Sequence, residues 1–291
     1  MLLSCCEFSC SVIISTSFKV QLFLLIFAFC EKIMLGLFRG IKVESYVTSS
    51  FILKETRSRG MVYMILKSMW GWKEILYLFV FVFFIVPVTV ESLFYDYALK
   101  VIGNVLYAGV LMGFIMAVIF TTVVYLFCIK RYKLSWKDIG IRKLSWRDFL
   151  WTVVAVMFLI VASIAVLVIM EKMGISFENS KTETVQNDKS IYAFCIAVIG
   201  AAVISPIYEE VLYRGVFYTF FRDRYGISGG VLISSIIFTV VHIPTYNTLP
   251  VNFLSGVVFA WLYEKTNSIL SAMIAHALFN FIAVLLTFVS N

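Results

Sequence analysis

The amino-acid sequence predicts an all-α polytopic membrane protein, a bundle of seven to eight transmembrane helices with an internal cavity. Hydrophobic residues make up 62% of the 291 residues and charged residues only 14%, far from the balance of a soluble domain. Apolar stretches of about 20 residues, the length that crosses a bilayer as a helix, recur with short polar connections between them. A few ionisable residues lie inside these stretches, which predicts that they face a protein interior.

Seven apolar stretches follow one another after residue 60. One of them is short for a membrane span, so we expect it to extend into neighbouring loop residues or to tilt little. The stretches are Ile75 to Val90, Val101 to Ile129, Phe149 to Met170, Ile191 to Phe221, Val231 to Ile243, the short Phe253 to Tyr263, and Ile269 to Val289.

The first 60 residues differ from the rest of the chain. An apolar run from Val12 to Cys30 contains Lys19, and a mixed basic segment follows as far as Gly60. Three interpretations stay open. The segment is an extra membrane span, a signal-like segment, or the result of translation that begins upstream of the true start, in which case Met61 or Met64 is the true start. The predicted organisation is this segment at 1–60, membrane spans at 61–190 and a functional membrane domain at 191–291.

The distribution of basic residues predicts the orientation in the membrane. The net charge is +7, but the basic residues flank apolar runs, which argues against nucleic-acid binding. The connection from Lys130 to Arg147 is rich in lysine and arginine and is therefore expected in the cytoplasm. Alternation then places Arg222, Arg224, Glu264 and Lys265 inside. It places Glu171 to Ser190, Pro244 to Val251 and the C-terminus outside.

The six cysteines have neither zinc-finger spacing nor a disulfide framework.

A short sequence is repeated within the basic connection. Leu134-Ser135-Trp136-Lys137-Asp138 recurs as Leu144-Ser145-Trp146-Arg147-Asp148. Serine followed three positions later by an acidic residue is typical of a helix N-cap, and tryptophan is enriched at the membrane interface. Both copies are therefore predicted to begin helices at the membrane surface.

Three charged residues lie together in the fourth apolar stretch. On insertion scales, each of Glu209, Glu210 and Arg214 would cost about 2.5 to 3.5 kcal/mol at the centre of a membrane helix. Glu210 and Arg214 are four residues apart and share a helix face, so they are predicted to pair. Glu209 points about 100° away from this face, so its carboxylate is predicted to remain outside the ion pair.

The only two histidines of the chain also lie in apolar stretches, His242 after Phe238 and His276 four residues before Asn280. From the predicted cytoplasmic ends, Glu209 lies roughly 18 Å deep, His242 roughly 20 Å and His276 roughly 12 Å. The three side chains are therefore predicted to meet near the middle of the membrane. Interhelical hydrogen bonding is an equal alternative for Asn280.

These residues form three motifs in order, Glu209-Glu210-x-x-x-Arg214, Phe238-x-x-x-His242 and His276-x-x-x-Asn280. Together they resemble the CPBP (Abi) family of intramembrane proteases, which includes type II CAAX prenyl endopeptidases and bacterial proteins linked to bacteriocin processing or self-immunity. The resemblance covers residues 191–289.

The resemblance implies an intramembrane endopeptidase with a catalytic cavity. Glu209 would activate water, His242 and His276 would surround that water or a metal, Asn280 would stabilise the oxyanion, and Glu210 with Arg214 would complete the site. Glu209, His242 and His276 could bind zinc as a metalloprotease, although metal dependence stays open.

The expected substrate is a membrane-associated peptide or protein, and the expected location is the bacterial cell membrane, with bacteriocin processing or immunity as the biological setting. The alternatives are a non-enzymatic immunity or scaffold protein and a proton-coupled transporter.

Overall fold

The computed structural model describes residues 68–176, 183, 186, 188 and 190–290. All regular structure in this part of the chain is helical, and it contains no strand, which confirms the all-α prediction. The segment at 1–60, with its three interpretations, lies outside the described residues, as do Met61 and Met64.

Five helical stretches in the described part of the chain are long and apolar enough to cross a membrane, so the protein is an integral, multi-pass membrane protein. The first three are α1 (Trp72–Ile102), α2 (Val105–Lys130) and α3 (Trp146–Lys172). The fourth is Ile191–Val240 and the fifth is Ile269–Val289.

The fourth stretch is 50 residues long because it contains two helices. Gly226 has φ 72° and ψ −178°, a conformation that glycine adopts without a side-chain clash and that interrupts the helix. We therefore name its parts α4 (191–225) and α5 (227–240). The last two helices are α6 (Leu249–Thr266) and α7 (Ile269–Val289).

Helix α6 contains the apolar stretch that is short for a span. It runs from Leu249 to Thr266 and so takes in residues on both sides of Phe253–Tyr263, as expected. It is not among the five candidate spans, and the predicted number of seven to eight is not confirmed.

One predicted boundary is wrong. The apolar stretch Val101 to Ile129 suggested a single helix, but α1 continues through Ile102, and Gly103 ends it with φ 70°. The side chain of Asn104 then accepts hydrogen bonds from the backbone of Leu106 and Tyr107 and caps α2. The Gly-Asn pair breaks the helix although the apolar pattern runs on across it.

Polar segments that were predicted to lie inside the cell meet at one end of the bundle. From the basic connection, Arg142 donates to the carbonyls of Thr266 and Asn267 between α6 and α7. Arg222 at the end of α4 forms an ion pair with Glu264 of α6 at 2.8 Å. The observed contacts agree with the predicted grouping of these segments on one side of the membrane.

The repeated sequence has two different structures. Ser145 caps α3, since its hydroxyl accepts from the backbone of Asp148, whose carboxylate accepts from the Ser145 N–H. In the first copy, the backbone N–H and the hydroxyl of Ser135 both donate to the Asp138 carboxylate, and the residues after Ser135 form only a turn. The prediction of a second helix start is therefore wrong.

The turn after Ser135 is fixed by its contact with α6. Gly140 has φ 96°, and a Cβ atom there would lie 2.7 Å from the Tyr263 ring. The Tyr263 hydroxyl also donates to the Ile139 carbonyl at 2.9 Å. This tertiary contact ends the turn where an isolated helix could have continued.

Helices α5 and α6 approach each other closely beside the charged residues of α4. A Cβ atom on Gly256 would lie 3.1 Å from the Cα atom of Ser235, so a larger residue would require the Ser235 backbone to move by a few tenths of an ångström. One buried cluster includes Tyr213 of α4 and Phe238 of α5, and a second includes Phe259 of α6 and Ala275 of α7. The candidate site lies where these two clusters meet.

Candidate active site

Glu210 is the centre of a fully buried hydrogen-bonded group. Its Oε1 atom accepts from Arg214 Nη1 at 2.9 Å and from His276 Nδ1 at 2.8 Å. Glu210 and Arg214 side chains are 0% and 1% exposed, so the predicted ion pair forms without solvent. The group joins α4 to α7 and adds a histidine contact to the predicted pair.

Arg214 contacts two aromatic rings and donates hydrogen bonds through Nη1 and Nη2, whereas its buried Nε atom has no hydrogen-bond partner in the protein. Its guanidinium lies 4.7 Å from the centroid of the Phe238 ring and 5.3 Å from that of Phe259. Its Nη2 atom donates to the Gly256 carbonyl at 3.1 Å. Arginine suits such a position because its planar cation can stack on aromatic rings while its edge donates hydrogen bonds. The cation therefore links α4 with α5 and α6.

Glu209 has a different environment from its neighbour. The Ser205 hydroxyl, one helical turn earlier, donates to Glu209 Oε1. Glu209 Oε2 is buried, makes no hydrogen bond and lies 4.0 Å from His276 Nε2. His276 thus meets Glu210 through one ring nitrogen and faces Glu209 with the other.

His242 lies beside this group rather than inside it. The residue stands in the turn just after α5, where the chain leaves the helix ahead of Pro244. Its Nδ1 atom is 2.7 Å from the Phe238 carbonyl, and its ring centroid is 4.9 Å from the Phe238 ring. The His276 ring also lies next to Phe238, with 5.9 Å between the two ring centroids. Phe238 therefore connects the two histidines.

Asn280 makes a contact between helices. Its Nδ2 atom donates to the Ala201 carbonyl of α4 at 2.8 Å. This is the interhelical hydrogen bond that the sequence offered as the alternative to a role at the oxyanion. The oxyanion role itself stays a prediction.

The zinc expectation needs three donors close to one point. In the described part of the chain, no group of three His, Cys, Asp or Glu side chains is placed to hold a metal ion. Glu209 Oε2 and His276 Nε2 provide two donors, and His242 Nδ1 lies against the Phe238 carbonyl, so His242 could act as a third ligand only through Nε2. This arrangement does not fit a three-ligand zinc site, and zinc stays a prediction.

Three side-chain or backbone partners of the site were not predicted. Ser205 could have been found, because it stands four residues before Glu209 and so lies on the same helix face. Gly256 and Phe259 gave no such signal, since a glycine and a phenylalanine in an apolar helix are ordinary packing residues. Their proximity to Arg214 depends on how α6 packs against α4.

Comparisons with known proteins match the part of the chain that carries this site. Residues 191–282, roughly a third of the chain, match the family model described as type II CAAX prenyl endopeptidase Rce1-like. The curated protein "Putative membrane peptidase YdiL" of Bacillus subtilis (strain 168) is 28% identical over 113 residues. That alignment covers 39% of this chain and 45% of the relative, so the chain spans less than half of the relative's length.

No solved structure matches the chain significantly. The matched region contains the two glutamates, Arg214, both histidines and Asn280, and these residues are distributed over α4, the turn after α5, and α7. The region at 191–282 is therefore similar to type II CAAX prenyl endopeptidases and to a membrane peptidase of Bacillus subtilis.

Proposed function

We propose that the protein is an intramembrane endopeptidase that hydrolyses peptide bonds of a membrane-associated peptide or protein, with Glu209 as the base that activates water. One observation carries the proposal: Glu209 Oε2 is buried, has no hydrogen-bond partner and faces His276 Nε2 at 4.0 Å. A separation beyond 3.5 Å between two polar atoms is suited to bridging by a water molecule.

The protonation of His276 follows from its partners. Glu210 is paired with the buried cation of Arg214 and therefore accepts hydrogen bonds as a carboxylate. His276 Nδ1 must then carry the hydrogen that it donates to Glu210. In a neutral ring, Nε2 is left with a lone pair directed at the space beside Glu209. A water there would donate one hydrogen to Nε2 and the other to Glu209 Oε2, with an oxygen lone pair free to attack.

The reaction then needs one proton to move twice. As the water oxygen forms a bond to the carbonyl carbon of the substrate, Glu209 takes one of its protons. The resulting tetrahedral intermediate breaks at the carbon–nitrogen bond when Glu209 returns that proton to the leaving nitrogen. A hydrogen-bond donor beside the carbonyl oxygen would stabilise the intermediate, and Asn280 is proposed for that role by its place in the family motif.

The biological setting follows from the family alone. Bacteriocin processing or self-immunity is our first proposal, since the family includes bacterial proteins of that kind. The sequence alternatives of a scaffold protein and a proton-coupled transporter would use the same buried charges, and no contact in the described residues favours either over hydrolysis.

The decisive experiment is proteolysis of a membrane-peptide library by the purified protein in detergent. We expect cleavage by the unchanged protein and a loss of about 100-fold or more with Glu209→Gln. The unfolding temperature of the variant should stay close to that of the unchanged protein, because the amide keeps the shape of the side chain. Near-normal cleavage by Glu209→Gln would exclude Glu209 as the base, and binding of peptides without any cleavage would favour the scaffold alternative.

A further inference from the structure

The turn of α4 that precedes the glutamates contains a proline. Residues 199–204 have wide, π-helical turns, and the Ser205 N–H donates to the Gly200 carbonyl, five residues earlier. The same spacing pairs residue 206 with the Ala201 carbonyl. Residue 206 is proline and has no N–H, so the helix itself offers no donor to Ala201 at this step.

The missing donor is replaced from another helix. Asn280 Nδ2 of α7 lies 2.8 Å from the Ala201 carbonyl. In lipid, a backbone carbonyl without a donor is unfavourable, and a proline in a membrane helix is tolerated where a neighbouring helix supplies a hydrogen bond. The amide of Asn280 thus stands where the N–H of residue 206 would otherwise donate.

The same contact affects the next side chain. A serine hydroxyl in a helix commonly donates to the carbonyl four residues earlier, which for Ser205 is that of Ala201. In this structure Asn280 donates to that carbonyl, and the Ser205 hydroxyl donates to Glu209 Oε1. With Oε1 held by Ser205, Oε2 is the oxygen that faces His276 Nε2.

We propose that Asn280 is a positioning residue that substitutes for the backbone donor missing at Pro206 and so holds the turn that orients Ser205 and Glu209. The structural half of this proposal is independent of the proposed function, and only its effect on catalysis depends on it. It differs from a role at the oxyanion, in which the amide would act on the substrate directly.

A double-mutant cycle between Asn280 and Pro206 tests the proposal. Asn280→Leu removes the amide at similar volume, and Pro206→Ala restores an N–H in α4. We expect Asn280→Leu to lower the unfolding temperature in detergent by about 2 to 4 °C when Pro206 is present and by much less when residue 206 is alanine. The milder Asn280→Ser replaces it in the cycle if the leucine variant does not fold.

Asn252 provides a matched control, because its Nδ2 atom donates to the hydroxyl of Thr248, the residue just before α6, at 3.1 Å. The effect of Asn252→Leu should be the same in both backgrounds. Strictly additive effects of Asn280→Leu and Pro206→Ala on the unfolding temperature would overturn the proposal.

Peptidase activity separates the two roles of Asn280. A positioning role predicts that Pro206→Ala restores most of the activity that Asn280→Leu loses, whereas an oxyanion role predicts the same loss in both backgrounds. Recovery of activity in the Pro206→Ala background supports the proposal. An equal loss of activity in both backgrounds would overturn the claim that Asn280 affects catalysis by positioning Ser205 and Glu209. If the unchanged protein cleaves nothing, the proposed function fails, while the cycle of unfolding temperatures still decides the structural half.

Discussion

Glu210 shows how a single residue can connect two parts of the site. The spacing of Glu210 and Arg214 was sufficient to predict their ion pair, because residues four apart on a helix are neighbours. The hydrogen bond from His276 was not predictable, since it depends on the packing of α7 against α4. Glu210 therefore does more than neutralise a cation, as it also fixes which nitrogen of His276 faces Glu209.

This double contact makes the two neighbouring glutamates unequal. Glu210→Gln leaves the buried Arg214 cation without its carboxylate, and breaking a buried ion pair costs about 3 to 5 kcal/mol. We therefore expect a clearly lower unfolding temperature for Glu210→Gln in detergent and little change for the matched variant Glu209→Gln. Thermal unfolding of the two purified variants measures the difference. Equal stability would show that the pair at Glu210 does not support the bundle.

Whether the site binds zinc can be tested at single side chains. Two of the three proposed zinc ligands lie together in the described residues, Glu209 and His276. If zinc belongs to the site, the purified protein should contain about one zinc per chain, lost with His276→Ala. Chelation should then lower the unfolding temperature, and added zinc should restore it. Full peptidase activity of protein with no measurable metal would instead assign the water to Glu209 and His276 alone.

At the level of helices, apolar pattern and capping residues had different predictive value. The apolar runs located the helical regions of the described chain, but the break at Gly103 and Asn104 lies inside one of those runs. His242 was expected within a helix and lies in the turn that follows it. Here the Gly-Asn pair set a helix end that the hydrophobic pattern did not show.

The repeated Leu-Ser-Trp sequence permits a matched test of a helix cap. Ser145 begins α3, whereas Ser135 stands in an exposed turn. We expect Ser145→Ala to destabilise the protein by about 1 kcal/mol, the usual value of an N-cap, and Ser135→Ala by a few tenths at most. Chemical unfolding in detergent compares the two variants. Equal destabilisation by the two variants would mean that the Ser145 cap stabilises α3 no more than Ser135 stabilises its turn.

At the level of the whole molecule, charge predicted the grouping of segments that the chain keeps far apart. Lysines and arginines near membrane helices collect on the cytoplasmic side, and that rule placed residues 130–147, 222–224 and 264–265 together. The contacts of Arg142 and Arg222 bring these segments to one end of the bundle. The rule has no information on lateral packing, so the aromatic residues around Arg214 could not be predicted from it.

The orientation itself can be tested with single cysteines. Lys137→Cys and Lys265→Cys lie at the end predicted to be cytoplasmic, and Gly174→Cys lies beyond the far end of α3. With the six native cysteines replaced by serine, an impermeant maleimide should label only Gly174→Cys in intact cells, and permeabilised cells should allow labelling of all three. Each variant should retain the expression of a version without added cysteine. Labelling of Lys137→Cys in intact cells would reverse the predicted orientation.

The docking of the basic connection onto the turn between α6 and α7 has a consequence for biosynthesis. The connection forms hydrogen bonds with residues that are more than 120 positions later in the chain, through Ile139, Gly140 and Arg142. At about 5 to 20 residues per second, a ribosome needs roughly 6 to 25 s to make that intervening length. During this interval the connection has emerged but its partners have not. A nascent chain halted after α5 would therefore present an undocked basic loop.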